Sequence, residues 1–542
     1  MHIKRLYFPI FLSLLLVDHS RAQDYYGLKY AEPVLHTNAF DPIHGRSHFD
    51  QIRIGELLYS RLWRWNHTLS IESDLLVSVP GLDIEGFKCT LKSNVYWSDG
   101  IEVTTDDVIF TLDLLKNCDN PELQQLALYT KCVKIDDKNF ELGPDGSILN
   151  WAYYARYYFA EIQILPKHIL IIPSLKNTDE YVKMPIGSGS FKLEDIKKIG
   201  AKTTIRFSRN SYSPERPNRN EIKEVIAVTE PDFFNQYNEL ISTDSYINGA
   251  GKIDLMLEEI SNAAIIRLLK QNQNLKHQRY ERNSWTALAL NTRKKYLNST
   301  GFRIQLDNML DDQKILSNSY EDSKAASDIT GPFLRKYGIY DETLKDRVGT
   351  KQEILDSLNN LGYTYDEGKN ILSWVNHQSG KSDKVSLVFI YNKDVVGADS
   401  REMHAIQQIE RRFSQFGIEI KHEGLNRSIF DERLASPESW DIAFVRRIFS
   451  YDNNITPIFT WKNETGYENP HLTAEIKDYL AGDSAQRIKI GERIHKHCYD
   501  NVPYIFLWHV NPEMHYRNIF DDVKITPMKY YTSMGQWQVT PR

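Results

Sequence analysis

Four cysteines in 542 residues are too few to staple a fold, so large hydrophobic cores must hold it. No apolar run is long enough to cross a bilayer. The N-terminal stretch Leu6–Val17 falls short of the ~20 residues a span takes, and no second long run follows. Charge of one sign is also missing. A net charge of −6 excludes the basic face that nucleic acid requires. Internal repeats, low-complexity tracts and heptads are absent, which excludes solenoids and coiled coils. With 41% hydrophobic residues and 31 tyrosines, global disorder is excluded too.

Catalytic patterns are also absent. The metalloprotease spacing of two histidines around a glutamate does not occur. Gly187-Ser188-Gly189-Ser190 resembles a nucleophile elbow superficially, but Ile186 stands where the leading glycine belongs. The turn Asn392-Lys393-Asp394-Val395-Val396-Gly397 lacks the glycine spacing that brings backbone amides to a pyrophosphate. His495-Lys496-His497-Cys498 is the best metal candidate, yet on a helix i and i+2 point to different faces. Asp106-Asp107 are first-turn acids favoured by the helix dipole. No enzyme, metal or cofactor is expected.

The ends are informative. Lys4 and Arg5, the apolar Leu6–Val17 and then Ser20-Arg21-Ala22 form the three regions of an export signal. Cleavage is expected after Ala22, and export makes the four cysteines oxidisable. Removal of Lys4, Arg5, Arg21 and Asp18 takes away three positive charges and one negative, moving −6 to −8. Three full connectivities are open to Cys89, Cys118, Cys132 and Cys498. Cys118–Cys132 is the favoured bridge because the pair brackets a polar segment. Cys498 continues an apolar helix stripe with Ile490 and Ile494.

Two lobes are expected from the length and from a change of pattern near residue 281. Phe87–Lys92 reads as a strand, Asp99-Gly100 as a tight turn, and Thr104 with Asp107 as a helix cap. Val108, Leu112 and Leu115 follow as its buried stripe. Farther on, strand 384–391, helix 401–416 capped at Gly417, and strand 418–421 form a βαβ unit with a parallel pair. Thr350 with Glu353 caps another helix, which ends at Gly362. The strand-like Tyr504–Trp508 opens a C-terminal return to the first lobe.

Binding is the chemistry left. Phe449, Tyr451, Asp452 and Asn453 put an acid among aromatics, ahead of Thr456-Pro457-Ile458-Phe459. A carboxylate there suits a ligand ammonium, with ring faces adding cation–π attraction. A solvent-facing turn acid is the plainer account of the same residue.

Several segments together resemble the family 5 extracellular solute-binding proteins, the dipeptide and oligopeptide receptors of ABC importers. They are Phe87–Leu115, Asp41-Pro42, Ile164–His168, Pro185–Leu193, Arg209–Tyr212, Leu290-Asn291 and Pro503–Leu507. The resemblance implies an α/β bilobed clamp of two mixed α/β lobes with a hinge. Lobe 1 would cover 23–281 with a subdomain inserted at about 71–184, lobe 2 would cover 282–503, and 504–542 would return to lobe 1. It also implies periplasmic capture of a short peptide by a monomer that serves a membrane permease and its ATPase subunits. Asp452 falls where relatives pair the peptide ammonium, and Phe449 takes their tryptophan position. Tyr451 is larger than the residue expected there. Arg447 beside it would narrow the pocket or favour an acidic ligand. Trp285, Ala287 and Ala289 share one strand face, where small side chains would admit a ligand backbone. Ser47 and His48 fall where the first lobe touches ligand in relatives. A same-fold receptor for an oligosaccharide, an opine or a metal chelate is the nearest alternative, and a secreted hydrolase is the enzymatic one.

Overall fold

The computed structural model describes residues 26–32, 34–35, 49–81, 86–118, 121–146, 151–170, 181, 183–242, 253–256, 263–280, 282–320, 326–375, 380–396, 400–449, 455–460, 463–482, 484–526 and 529–540. The expected export signal with its Ala22 cleavage point, Asp41-Pro42, Ser47, His48, Tyr451, Asp452 and Asn453 lie outside the described residues. No described helix is long and apolar enough to cross a membrane.

Two large sheets organise the chain. The first has seven strands in the order Leu275–Arg279, Glu513–Arg517, Leu255–Met256, Gly27–Glu32, Glu224–Thr229, Lys202–Arg209 and Phe191–Ile199. The second has six: Ala326–Asp328, Tyr504–Val510, Ser284–Leu290, Ile442–Ile448, Ser386–Asn392 and Glu419–Leu425. The chain crosses from the first sheet to the second at 280–283 and returns at 511–512. Strand Tyr504–Val510 therefore belongs to the second lobe, and the C-terminal return begins later than expected. Its residues are apolar on both faces because it lies inside a sheet with a core on each side.

The expected βαβ unit is present as Ser386–Asn392, Arg401–Gln415 and Glu419–Leu425, with the two strands parallel. Ser400 caps the helix at its start, and Gly417 at φ +77° ends it where a Cβ would meet the Leu372 backbone nitrogen. Thr350 and Glu353 cap the helix Lys351–Asn360 as expected.

In the first lobe the sheet of Phe87–Thr90, Asn139–Pro144 and Thr130–Lys134 packs on the helices Thr105–Leu115, Pro121–Leu128 and Trp151–Tyr158. Four of the segments that carry the family resemblance, Phe87–Leu115, Ile164–His168, Pro185–Leu193 and Arg209–Tyr212, meet here in space. Asp107 accepts the Thr104 N–H at 2.8 Å, and its second oxygen accepts the Lys167 N–H at 2.9 Å. The Leu165 N–H donates to the Thr111 hydroxyl, and His168 bonds Asp99 at 2.8 Å. The Ser98 N–H reaches the Gly187 carbonyl at 2.9 Å, and Asn210 donates to the Gly189 carbonyl at 2.9 Å. Gly187 is dictated by close backbone approach: a Cβ there would sit 1.8 Å from the Leu58 carbonyl oxygen.

The expected Cys118–Cys132 bridge is not formed, nor is any other disulfide. Cys118 is buried in the first-lobe core, and Cys132 packs against it from the strand Thr130–Lys134. Both behave as small apolar side chains. Cys89 and Cys132 flank the strand Asn139–Pro144 on either side. Two strand spacings, ~10 Å, exceed what a disulfide spans. Burial pushes both of those thiols up to about 12, so neither ionises readily at neutral pH. Cys498 is a core residue beneath Ile494, as the helix periodicity requires.

Candidate ligand site at the junction of the lobes

Strand Ser284–Leu290 begins immediately after the first crossing and runs between Ile442–Ile448 and Tyr504–Val510. Period-two alternation puts Trp285, Ala287 and Ala289 on one face, opposite Arg447, Val445 and Ala443. Trp285 is buried, with its indole N–H donated to the Pro332 carbonyl at 3.1 Å. Its ring centroid lies 5.3 Å from Phe449, 5.6 Å from Tyr504 and 5.1 Å from Phe506. The last two contacts are edge-on, the favoured aromatic geometry.

Phe449 follows directly on Ile442–Ile448. Its N–H donates to the Asn283 carbonyl at 2.7 Å, which pins the strand end to the crossing segment. Trp285, Phe449 and Arg447 are thus brought together at the start of this strand. Ala287 and Ala289 are not open to a ligand. Both are fully buried, and Phe506 and Tyr504 stand opposite them in the sheet. The room left by the small side chains is taken by aromatic rings.

Arg447 departs from expectation as well. Its Nε and Nη2 donate to Glu464, at 3.0 and 2.5 Å, and its Nη1 to the Arg446 carbonyl. Its charge is neutralised by a nearly buried carboxylate, so an acidic ligand gains little from it. Arg446 points to the opposite face and pairs Glu402 at 2.9 Å. Burial raises the Tyr504 hydroxyl well above its ordinary range, keeping it a neutral phenol beside this pair.

Residues that sequence reasoning missed tie the crossings together. The Tyr280 N–H donates to the Pro512 carbonyl at 3.0 Å. Arg282 donates to the Tyr530 hydroxyl at 2.7 Å, which also bonds the Tyr280 hydroxyl at 2.9 Å. The Arg53 guanidinium lies 4.4 Å from the Tyr530 ring and pairs Glu32. His509 bonds the Ser284 carbonyl, just past the first crossing, at 2.7 Å and Asn511 in the second at 2.8 Å. Tyr530 adopts φ +24°, a conformation rare outside glycine that surrounding contacts must enforce. Partners some 225 to 250 residues apart leave no local sequence signal.

His495 and His497, the best metal candidates in sequence, diverge. His495 is buried against Thr330 at 3.2 Å, with burial lowering its pKa to about 4, and His497 bonds Tyr467 at 3.0 Å. Among the described residues no group of three histidines, cysteines or acids is arranged to hold a metal.

Comparison with known proteins agrees with this architecture. The oligopeptide-binding protein AppA of Bacillus subtilis (strain 168) is 24% identical over 508 residues, covering 89% of this chain and 86% of the relative. A solved structure of B. subtilis AppA in complex with a nonapeptide matches with TM-score 0.71 and 21% identity. That match covers 96% of this chain and 100% of the other. NikZ of Campylobacter jejuni in complex with Ni(L-His) matches with TM-score 0.71 and 17% identity, over 94% of this chain and 99% of the other. The profile of the bacterial extracellular solute-binding proteins, family 5, matches residues 83–469. A profile match over that much of the chain, on a two-sheet clamp joined by two short crossings, makes this protein a member of the bacterial extracellular solute-binding proteins, family 5.

Proposed function

We propose that the chain is an exported, periplasmic receptor of an ABC importer. Acting as a monomer, it captures a short peptide between its lobes and delivers it to a membrane permease and ATPase. No covalent step is involved. The observation that carries this reading is the seating of Phe449. Its bond to Asn283 holds the end of strand Ile442–Ile448 against the crossing, where two closing lobes would grip a guest. The similarity to an oligopeptide-binding relative over most of the chain points to the same ligand class.

In this reading Asp452 accepts the peptide ammonium, beside the rings of Phe449 and Tyr451. Asn453, Ser47 and His48 complete the contact set. Trp285 supports the wall from behind. Main-chain hydrogen bonds hold an extended ligand, and roomy pockets accept varied side chains. Ligand shifts the hinge by binding the closed form better.

Calorimetry with di- to pentapeptides tests the proposal. Asp452→Ala is expected to cost about 3–5 kcal/mol of binding, the penalty for stranding a buried charge. Unchanged affinity would remove Asp452 from the site, and a wild-type protein that binds no peptide would remove the ligand class. The Ni(L-His) complex of a structural neighbour favours a metal chelate as second reading. Native mass spectrometry of the purified protein separates the two.

A further inference from the structure

A cavity of about 640 Å3 lies wholly within the first lobe, its wall drawn from residues 56–95, 188–218 and 522–538. Among the described residues, none of the second lobe or of the crossings lines it, and neither Trp285 nor Phe449 does. The volume is that of a small-molecule site, ~300–1,000 Å3.

Its wall is charged, lined by five acids and five cations, with Arg216 facing Glu221 and the buried pairs centred on Arg61 and Arg64. Arg61, 3% exposed, clasps Glu56 through both terminal nitrogens. Arg64 faces three carboxylates, with Glu215 at 2.7 Å, Glu72 at 2.9 Å and Asp74 at 4.0 Å. Four acids thus confront two guanidiniums. Lys529, behind the wall, is 3.9 Å from Glu56 and gives its closer contact, 2.9 Å, to Glu161.

Asp74 is where the excess falls. One carboxylate oxygen accepts the Arg61 backbone N–H at 2.7 Å, while the other lies beyond hydrogen-bond range of Arg64. Burial raises the Asp74 pKa, the direction expected of a carboxylate that lacks a close cation. Ser188, 4% exposed, lines the cavity with a hydroxyl that has no hydrogen-bond partner among the described residues. Lys92, Lys524 and Asp522 also line the cavity, Lys524 at an exposed position; Lys92 donates to the Asp74 backbone carbonyl, not its carboxylate.

We propose that this cavity is a second binding site, for a zwitterion of amino-acid or dipeptide size, with its ammonium on Asp74 and its carboxylate toward Lys92 and Lys524. An anion alone would meet guanidiniums already committed to acids. An apolar guest would leave the charged wall unpaired. A sugar would find one aromatic ring, Tyr59, to stack on.

The test uses L-alanine, L-alanyl-L-alanine, ethylamine and acetate as probes in calorimetry, together with crystals soaked in L-alanine. Density beside Asp74 is expected. Asp74→Asn keeps an acceptor for the Arg61 N–H but removes the charge, and is expected to weaken zwitterion binding about tenfold. Lys524→Met, at an exposed position, is expected to weaken it severalfold without touching the fold. Ethylamine binds more weakly than L-alanine, and acetate does not compete. Only water beside Asp74, or unchanged affinity in both variants, overturns the second site. Unchanged affinity in Lys524→Met overturns it too if Asp74→Asn fails to fold. Binding lost in Asp452→Ala but kept in Asp74→Asn overturns the second site alone and leaves the peptide reading standing.

Discussion

The two lobes are held together by different physics. In the first, segments far apart in sequence converge on backbone groups: Ser98 on Gly187, Lys167 on Asp107, Asn210 on Gly189. In the second, the wall beside the crossing is a stack of rings, Trp285 with Phe449, Tyr504 and Phe506. A hydrogen-bonded knot specifies residue identity strictly, because glycine, aspartate or asparagine alone fits each place. An aromatic stack specifies volume and tolerates exchange of one ring for another. The first lobe's knot therefore constrains residue identity, and the second lobe's stack constrains residue volume.

Three substitutions would break or sharpen that contrast. Gly187→Ala strikes the knot where nothing can yield, since the added methyl meets the Leu58 carbonyl oxygen. A loss of more than about 4 kcal/mol is expected, the range reserved for such defects, measured by urea unfolding. A soluble variant of near-normal stability would show that the first-lobe backbone gives way easily.

Trp285→Ala removes the centre of the ring stack. It is expected to cost about 3–5 kcal/mol, while Trp285→Phe should retain most of the stability. Calorimetric melting of both variants decides whether volume governs this wall. Equal losses in the two would mean that the indole N–H bond to Pro332 matters more than packing.

The smallest effect concerns an acid cluster in the second lobe. Burial raises Asp307 and Asp346 to about 6 and Asp312 well above its ordinary range, with Arg347 pairing Asp307 at 2.9 Å. A carboxyl raised on folding binds more protons folded than unfolded between about pH 4 and 6. Its contribution is most favourable below pH 4 and is lost as pH rises through 6. Asp346→Asn is expected to gain about 1–2 kcal/mol at pH 7.5, discounted for partial exposure, and to gain nearly nothing at pH 4. Urea midpoints at the two pH values measure it. Buried histidines behave oppositely: His515 in the first lobe, like His495 in the second, is lowered to about 4 by burial. That stability is present above pH 6.5 and is lost as pH falls through 4. Hydrogen exchange on acidification should therefore show strand Glu513–Arg517 opening while the Asp346 region tightens.

Much of the architecture was legible locally. The caps at Thr104 and Thr350 and the terminating Gly417 obey short-range rules, and the βαβ unit follows from hydrophobic period. What misled was local reading of residues whose role is tertiary. Ala287 and Ala289 looked like clearance for a ligand, yet the clearance is filled from Phe506 and Tyr504, more than 200 positions away. Arg447 looked like a free cation, yet Glu464 neutralises it. Cys118 and Cys132 looked like a bridge across a polar segment, yet both turn into one core.

By itself the sequence determined the α/β class and the family. Each rests on periodicity, capping or motif strings that neighbouring residues enforce. Only the tertiary structure decided which sheet receives Tyr504–Val510, how Arg282, Tyr530 and His509 bind the crossings, and where a charged cavity opens in the first lobe. Those outcomes depend on burial and pairing between residues that the chain keeps hundreds of positions apart, and side-chain chemistry read along the chain does not encode such distances.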